Sequence, residues 1–210
     1  MLVGAVCAGC GGQDPSATEP PDPSASNAES PDVSELIATG QPLEAGEYTR
    51  TGFEPAITIE LDGSWQAVQL ADGFFDVQQD PGSPDVIAVQ FARPAAVFGQ
   101  HGMSDLPTTA LDAIETLRSN PGLEVLESSS SRIGGLDGSQ VTVENAGAAH
   151  AQIMRVPPGA LGIDPGRRLW IAFFDTDDGL LAIMVGGSVA RWAEALAAAE
   201  PVLESVRIGP

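Results

Sequence analysis

Two apolar runs near the C-terminus, Leu169-Trp170-Ile171-Ala172-Phe173-Phe174 and Leu180-Leu181-Ala182-Ile183-Met184-Val185, flank Asp175-Thr176-Asp177-Asp178-Gly179. Runs of strand length, rich in aromatic and aliphatic side chains and joined by turn-forming residues, define a β-hairpin. Neither run alternates with polar residues, so both faces of the hairpin must be covered, at least one by helices, and its strands belong at the centre of a sheet. After Gly186-Gly187, Ser188 is placed to cap a helix, and Val189, Trp192, Leu196, Ala199 and Leu203 recur at helical spacing as the face expected on the sheet. Pro201 cannot donate to the preceding turn, so a kink or restart is expected there. Val206-Arg207-Ile208 reads as a short closing segment.

Upstream, residues 33–38 read as one helical turn and residues 43–53 as an extended segment. Ile57, Ile59 and Leu61 alternate with Thr58 and Glu60 as a half-buried strand. Asp62-Gly63 is a turn dipeptide, and Trp65 to Leu70 would return as its hairpin partner. Residues 74–77 and 86–91 are the next strands, parted by the loop Asp80-Pro81-Gly82-Ser83-Pro84, and residues 93–107 read as irregular. Thr108 is placed to cap a helix with Leu111, Ile114 and Leu117 on one face, ending at Asn120-Pro121-Gly122. Four strand-like segments follow, with turns at Gly134-Gly135 and Asp137-Gly138 and a loop over residues 157–166. Strands, helix, strands, helix, with closely spaced turns, predict an α+β domain dominated by antiparallel sheet.

The chain carries a formal charge of -20, and its 9 basic residues are all arginine. Neutralising a polyanion needs clustered cations, and the densest cluster is the pair Arg167-Arg168, so nucleic-acid binding is disfavoured. Cys7 and Cys10 are the only cysteines. In residues 1–10 the small, apolar Cys7-Ala8-Gly9-Cys10 resembles a bacterial lipobox ending a signal segment, with Cys10 as the lipidated residue. An unlipidated secretory segment and a C-x-x-C redox or metal pair are the other readings. Residues 11–32, rich in Ser, Ala, Pro and acid with no large apolar side chain, read as a disordered tether of about 25–60 Å reach. Residues 33–210 form the single domain and retain about -15 of the charge.

Ala45-Gly46-Glu47-Tyr48, Phe53-Glu54-Pro55, the strand from Ile57 to Leu61 and Gly63-Ser64-Trp65 resemble the opening of uncharacterised exported bacterial proteins. The later order, Leu111 to Leu117, Asn120-Pro121-Gly122-Leu123, Ile133-Gly134-Gly135, Trp192 and Pro201-Val202-Leu203-Glu204-Ser205-Val206, resembles lipoproteins of the PsbP-like fold. That resemblance implies an antiparallel sheet sandwiched between helices. The matched residues are packing and turn residues, so it transfers no catalytic site.

Three constellations bear on chemistry. Asp175, Asp177 and Asp178 are a candidate Ca²⁺ ligand set, although the EF-hand spacing and its trailing Glu are lacking, and the alternative is an ordinary hairpin turn. His101, Ser104 and Asp105 contain the residue types of a hydrolytic triad without a Gly-x-Ser-x-Gly elbow. His101 and His150 are the only imidazoles, too few for a zinc centre, and the four serines 128–131 read as a solvated strand end or loop. No cofactor is implied. The sequence is therefore read as a non-enzymatic, membrane-tethered extracytoplasmic module, binding an envelope protein or glycan through a sheet edge or a helix-sheet groove. A carrier of a small apolar ligand between helix and sheet is the alternative, and a hydrolase the remaining one.

Overall fold

The computed structural model describes residues 33–37, 40–157 and 159–209. Cys7, Cys10 and residues 11–32, read above as a tether, lie outside them. In chain order the strands and helices are β1 (Ser34–Glu35), β2 (Ala45–Arg50), β3 (Ile57–Asp62), β4 (Gln66–Ala71), β5 (Phe74–Gln79), β6 (Ile87–Ala92), β7 (Ala96–Gly99), β8 (Gly102–Ser104), α1 (Ala110–Arg118), β9 (Leu123–Ile133), β10 (Leu136–Asn145), β11 (Ala151–Val156), β12 (Gly159–Ile163), β13 (Arg167–Thr176), β14 (Gly179–Ser188), α2 (Trp192–Ser205) and β15 (Arg207–Ile208).

The C-terminal hairpin is central, as its uniform apolarity requires. A seven-stranded sheet runs β4-β5-β6-β14-β13-β10-β9, flanked by two four-stranded sheets, β1-β2-β3-β15 and β12-β11-β7-β8. Among the described residues every pairing is antiparallel except β1 with β2. Alternate residues of the hairpin feed two cores. Ala172, Phe174, Leu181, Ile183 and Val185 face one side, with Ile57, Ile59 and Leu61 of β3 and Ala199 and Val202 of α2. Leu169, Ile171, Phe173, Ala182 and Met184 face the other, with Ala113, Ile114 and Leu117 of α1 and Val97, Ile153 and Met154 of β7 and β11. The fold is thus α+β, a mostly antiparallel sheet covered on both faces.

Several segments differ from the sequence expectation, each for a local reason. Residues 33–37, the described part of the expected helical turn, are extended: Ser34 and Glu35 pair with Tyr48 and Thr49 of β2. β3 and β4 are not a hairpin but lie in different sheets. Asp62 accepts the Ser64 amide at 3.0 Å and its hydroxyl at 2.6 Å, and Gly63 has φ 85°, so the chain turns a corner there. Each strand takes its other neighbour, β2 or β5, as hairpin partner. Residues 93–107 and 157–166 contain the small strands β7, β8 and β12. The glycines at 134 and 135, at φ 58° and 83°, complete a two-residue turn, leaving Asp137 and Gly138 inside β10. Ser128 to Ser131 sit within β9 rather than in a loop.

α1 buries Ile114 and Leu117 as expected, with Ala110 and Ala113, and only Leu111 departs from that face, whereas α2 is rotated from its expected face. In α1 the cap is Thr109, whose hydroxyl accepts the Asp112 amide at 3.1 Å, and Leu111 is 60% exposed. In α2 the buried stripe is Ala195, Ala199 and Val202, so Leu196 stands free of the core. A 3-10 turn over Val189–Arg191 sets this phase, and α2 then runs unbroken through Pro201. Ser188 precedes that turn without a side-chain cap bond.

Candidate functional site

α2 and the β1-β2-β3-β15 sheet cover one face of the central sheet only in part. Small residues bring the helix close: a Cβ at Gly187 would lie 2.6 Å from that of Ala195. The helix meets β14 and β6, and the same sheet face beyond it, on β13, β10 and β9, is left as a groove. Its volume is about 520 Å³. Trp170 of β13 and Ile133 of β9 form the floor. Leu196, Ala197, Glu200, Leu203 and Glu204 of α2 form one wall, with Ser131 and Arg132 at the outer lip. The groove exists because α2 buries Ala195 and Ala199, which turns Leu196 and Glu200 towards the open side.

The strands beside the groove carry polar side chains with a period of two. Thr142 pairs in register with Trp170 and donates its hydroxyl to Glu127 at 3.0 Å. Gln140 donates to Ser129 at 2.9 Å. Arg168 Nε donates to Glu144 at 2.6 Å, and the guanidinium lies 5.6 Å from the Trp192 ring centroid, a cation-π arrangement that props the start of α2. These pairs lie on the strands next to the slot, whose own lining joins the apolar Ile133, Trp170, Leu196 and Leu203 to the polar Ser131, Arg132, Glu200 and Glu204, the composition expected of a ligand-binding concavity.

A second concavity, about 350 Å³, lies between β6, β12 and β13 and is lined by Gln78, Gln90, Asp164 and Arg167. Arg167 spends its donors on the carbonyls of Pro84 at 2.9 Å and Val86 at 2.8 Å. Gln78 donates to the buried Asp76 at 2.6 Å, and the Gln69 amide to the same carboxylate at 2.7 Å. Burial pushes the Asp76 carboxyl above its ordinary range, opposed by these bonds.

The Ca²⁺ candidates do not converge. Asp175 is a strand residue whose carboxylate accepts the Ala110 amide at 2.8 Å, fixing the start of α1, while the turn shrinks to Asp177 and Asp178. Arg93 holds that turn by donating to the Asp178 carbonyl. Among the described residues no group of three His, Cys, Asp or Glu side chains is arranged to hold a metal ion. Nor does the hydrolytic set assemble: Ser104 donates its hydroxyl to the Val97 carbonyl at 2.7 Å, and His101 and Asp105 are exposed, with no hydrogen bond among the three. His150 sits just before β11 and pairs with Asp164 at 2.8 Å on the surface.

Sequence reading placed Leu196 and Leu203 against the sheet; Leu203 does pack on the core, while Leu196 turns out into the groove wall that the reading missed. The signal that marks the groove was present in β9 and β10, where Glu127, Ser129 and Ser131 and then Gln140 and Thr142 put polar groups on one face while Val141 and Val143 fill the other.

The architecture is that of an α+β sandwich with a partly open sheet face. It is similar to cyanobacterial PsbP (CyanoP) from Synechocystis sp. PCC 6803, at 10% identity and a TM-score of 0.45, over 82% of this chain and 97% of that one. It is also similar to LpqN of Mycobacterium tuberculosis, a protein involved in cell envelope biogenesis, at 11% identity and a TM-score of 0.43, over 86% of this chain and 90% of that one. No protein-family model and no curated protein sequence matches. At TM-scores below 0.5 these likenesses carry no function to this chain.

Proposed function

We propose that the chain is a non-enzymatic recognition module, held at the extracytoplasmic face of a membrane by lipid on Cys10, whose binding surface is the groove between α2 and β9. The observation that carries this reading is the groove itself. Leu196 is 37% exposed and Trp170 is only partly covered, and with Ile133 and Leu203 they make an apolar slot beside the charged and hydroxyl side chains of Ser131, Arg132, Glu200 and Glu204. The Pro- and Ser-rich residues 11–32 give such a domain reach from a surface. The partner class is an envelope protein or glycan.

A photo-cross-linking side chain at Leu196, compared with one at Leu111 on the far helix, tests this in the native host. Discrete adducts at 196 and not at 111 are expected, and indistinguishable patterns would refute it. The apolar lining also fits a small apolar ligand. Native mass spectrometry separates the two readings, since a carrier retains non-covalent mass that is lost on denaturation and a recognition module shows the same covalent mass before and after.

A further inference from the structure

β9 is an open edge of the central sheet, and no other strand among the described residues pairs with its outer side. Such an edge leaves a row of main-chain N–H and C=O groups available to another chain. The register with β10 is unbroken over residues 127–133, the shift lying at Thr142/Val143. Seven regular residues offer about 23 Å of edge.

Edges are commonly blunted by short length, bulges, Pro or Lys. The opposite edge is treated in this way: β4 has only six residues and its register shifts between Ala67 and Gln69. β9 has eleven residues without Pro, and between the charged Glu127 and Arg132 its Ser128, Ser129 and Ser130 are exposed small side chains that leave the edge open. Its Ser131 and Arg132 border the groove opposite Glu200 and Glu204 of α2, neither of which forms an ion pair with any described residue. Arg132 is already engaged with Asp137 at 3.5 Å.

We infer that β9 takes up an extended, basic segment of a partner protein as an added strand, with alternate side chains of that segment entering the groove under α2. The inference rests on the groove as the recognition surface and names its partner. Main-chain pairing supplies affinity and the groove selects side chains, as in other strand additions. Charge decides the occupant: with about -15 on the domain, a second copy is repelled and a cationic strand is drawn in.

The full chain, isotope-labelled, is titrated with a ten-residue peptide alternating Val and Arg. Controls are the same peptide with two Val replaced by Pro, and one alternating Val and Glu. The expected result is slowed amide exchange over residues 127–133 with the Val-Arg peptide alone. Binding should weaken about tenfold in Glu200→Lys/Glu204→Lys, whose exposed substitutions leave the fold intact. Shifts at Trp170 and Leu196 without protection of residues 127–133 would overturn strand addition while leaving the groove as the recognition surface. Equal binding of the proline peptide would reduce the effect to general charge attraction and overturn it. Concentration-dependent protection of residues 127–133 in the chain alone, with a dimer mass, would assign the edge to a second copy and overturn it as well. Absence of both shifts and protection would overturn the basic-strand assignment, and the cross-linking at Leu196 then decides the groove separately.

Discussion

Gly187→Ala is the most informative single change for the groove wall. The added methyl would stand 2.6 Å from the Ala195 Cβ, whereas carbon atoms in contact sit about 3.5–4.0 Å apart. Ala195 is 1% exposed and has no rotamer with which to withdraw, so relief requires α2 to move off β14 by about 1 Å. Overpacking of this kind costs about 1–3 kcal/mol, and each kcal/mol lowers Tm by about 2–4 °C in a domain of this size. Ala195→Gly alone costs about 1 kcal/mol in helix propensity and about 0.8 kcal/mol for the lost buried methyl. With both substitutions the collision is gone, so the double variant should be more stable than the two single costs predict, by about 1 kcal/mol or more. Urea unfolding of the four proteins, at unchanged m, measures the coupling. Additive costs would refute the claim that this contact sets the position of α2.

Three further outcomes follow from particular contacts. Asp76 has its carboxyl pKa raised by burial, so the native state holds its proton to higher pH than the unfolded chain. Its contribution to stability is therefore fullest below the ordinary value of 3.8 and is lost as pH rises through the raised folded value. Asp76→Asn should be less stable overall, because one amide oxygen cannot serve both Gln69 and Gln78, and should lack that falling slope in a pH series of unfolding free energies. Ile114→Ala, at a site 2% exposed, should cost about 2–5 kcal/mol, and Leu111→Ala, in the exposed face of the same helix, less than about 0.5 kcal/mol in the same unfolding assay. Gly138→Ala would drive a methyl into the Phe173 carbonyl and to 2.6 Å from Phe174 Cδ1, and should cost more than about 2 kcal/mol, read as a lowered urea midpoint.

The central hairpin was legible because both its runs are apolar on every residue, a pattern few contexts other than a doubly covered strand satisfy. The α+β class and the strand at Ile57 to Leu61 followed from periodicity, and the observed burial alternates there as read. Pairing was less legible. Asp62-Gly63 is a turn dipeptide in either arrangement, and what separates β3 from β4 is the bonding of Asp62 to Ser64 together with the competing partners β2 and β5. Helix phase was lost for a related reason. Alanine is weakly apolar, so Ala195 was outvoted by Leu196 although Ala199 was read correctly, and close packing on Gly187 favours the smaller residue. The groove is a consequence of that phase, and its residues could be found only through the polar alternation of β9 and β10. The acidic turn was conspicuous in sequence yet resolves into a capping contact at Ala110 and two turn residues.

In the proposed function residues 11–32 act as a tether that sets which partners the groove can meet, and lipid on Cys10 would fix that tether to a membrane. The measurement that tests this most directly is the mass of the mature N-terminal peptide taken from membranes of the native host. A diacylglycerol thioether on Cys10 as the first residue is predicted, with the protein in the membrane fraction. An unmodified peptide beginning at Met1, recovered from the soluble fraction, would contradict the account and return Cys7 and Cys10 to the reading of a thiol pair.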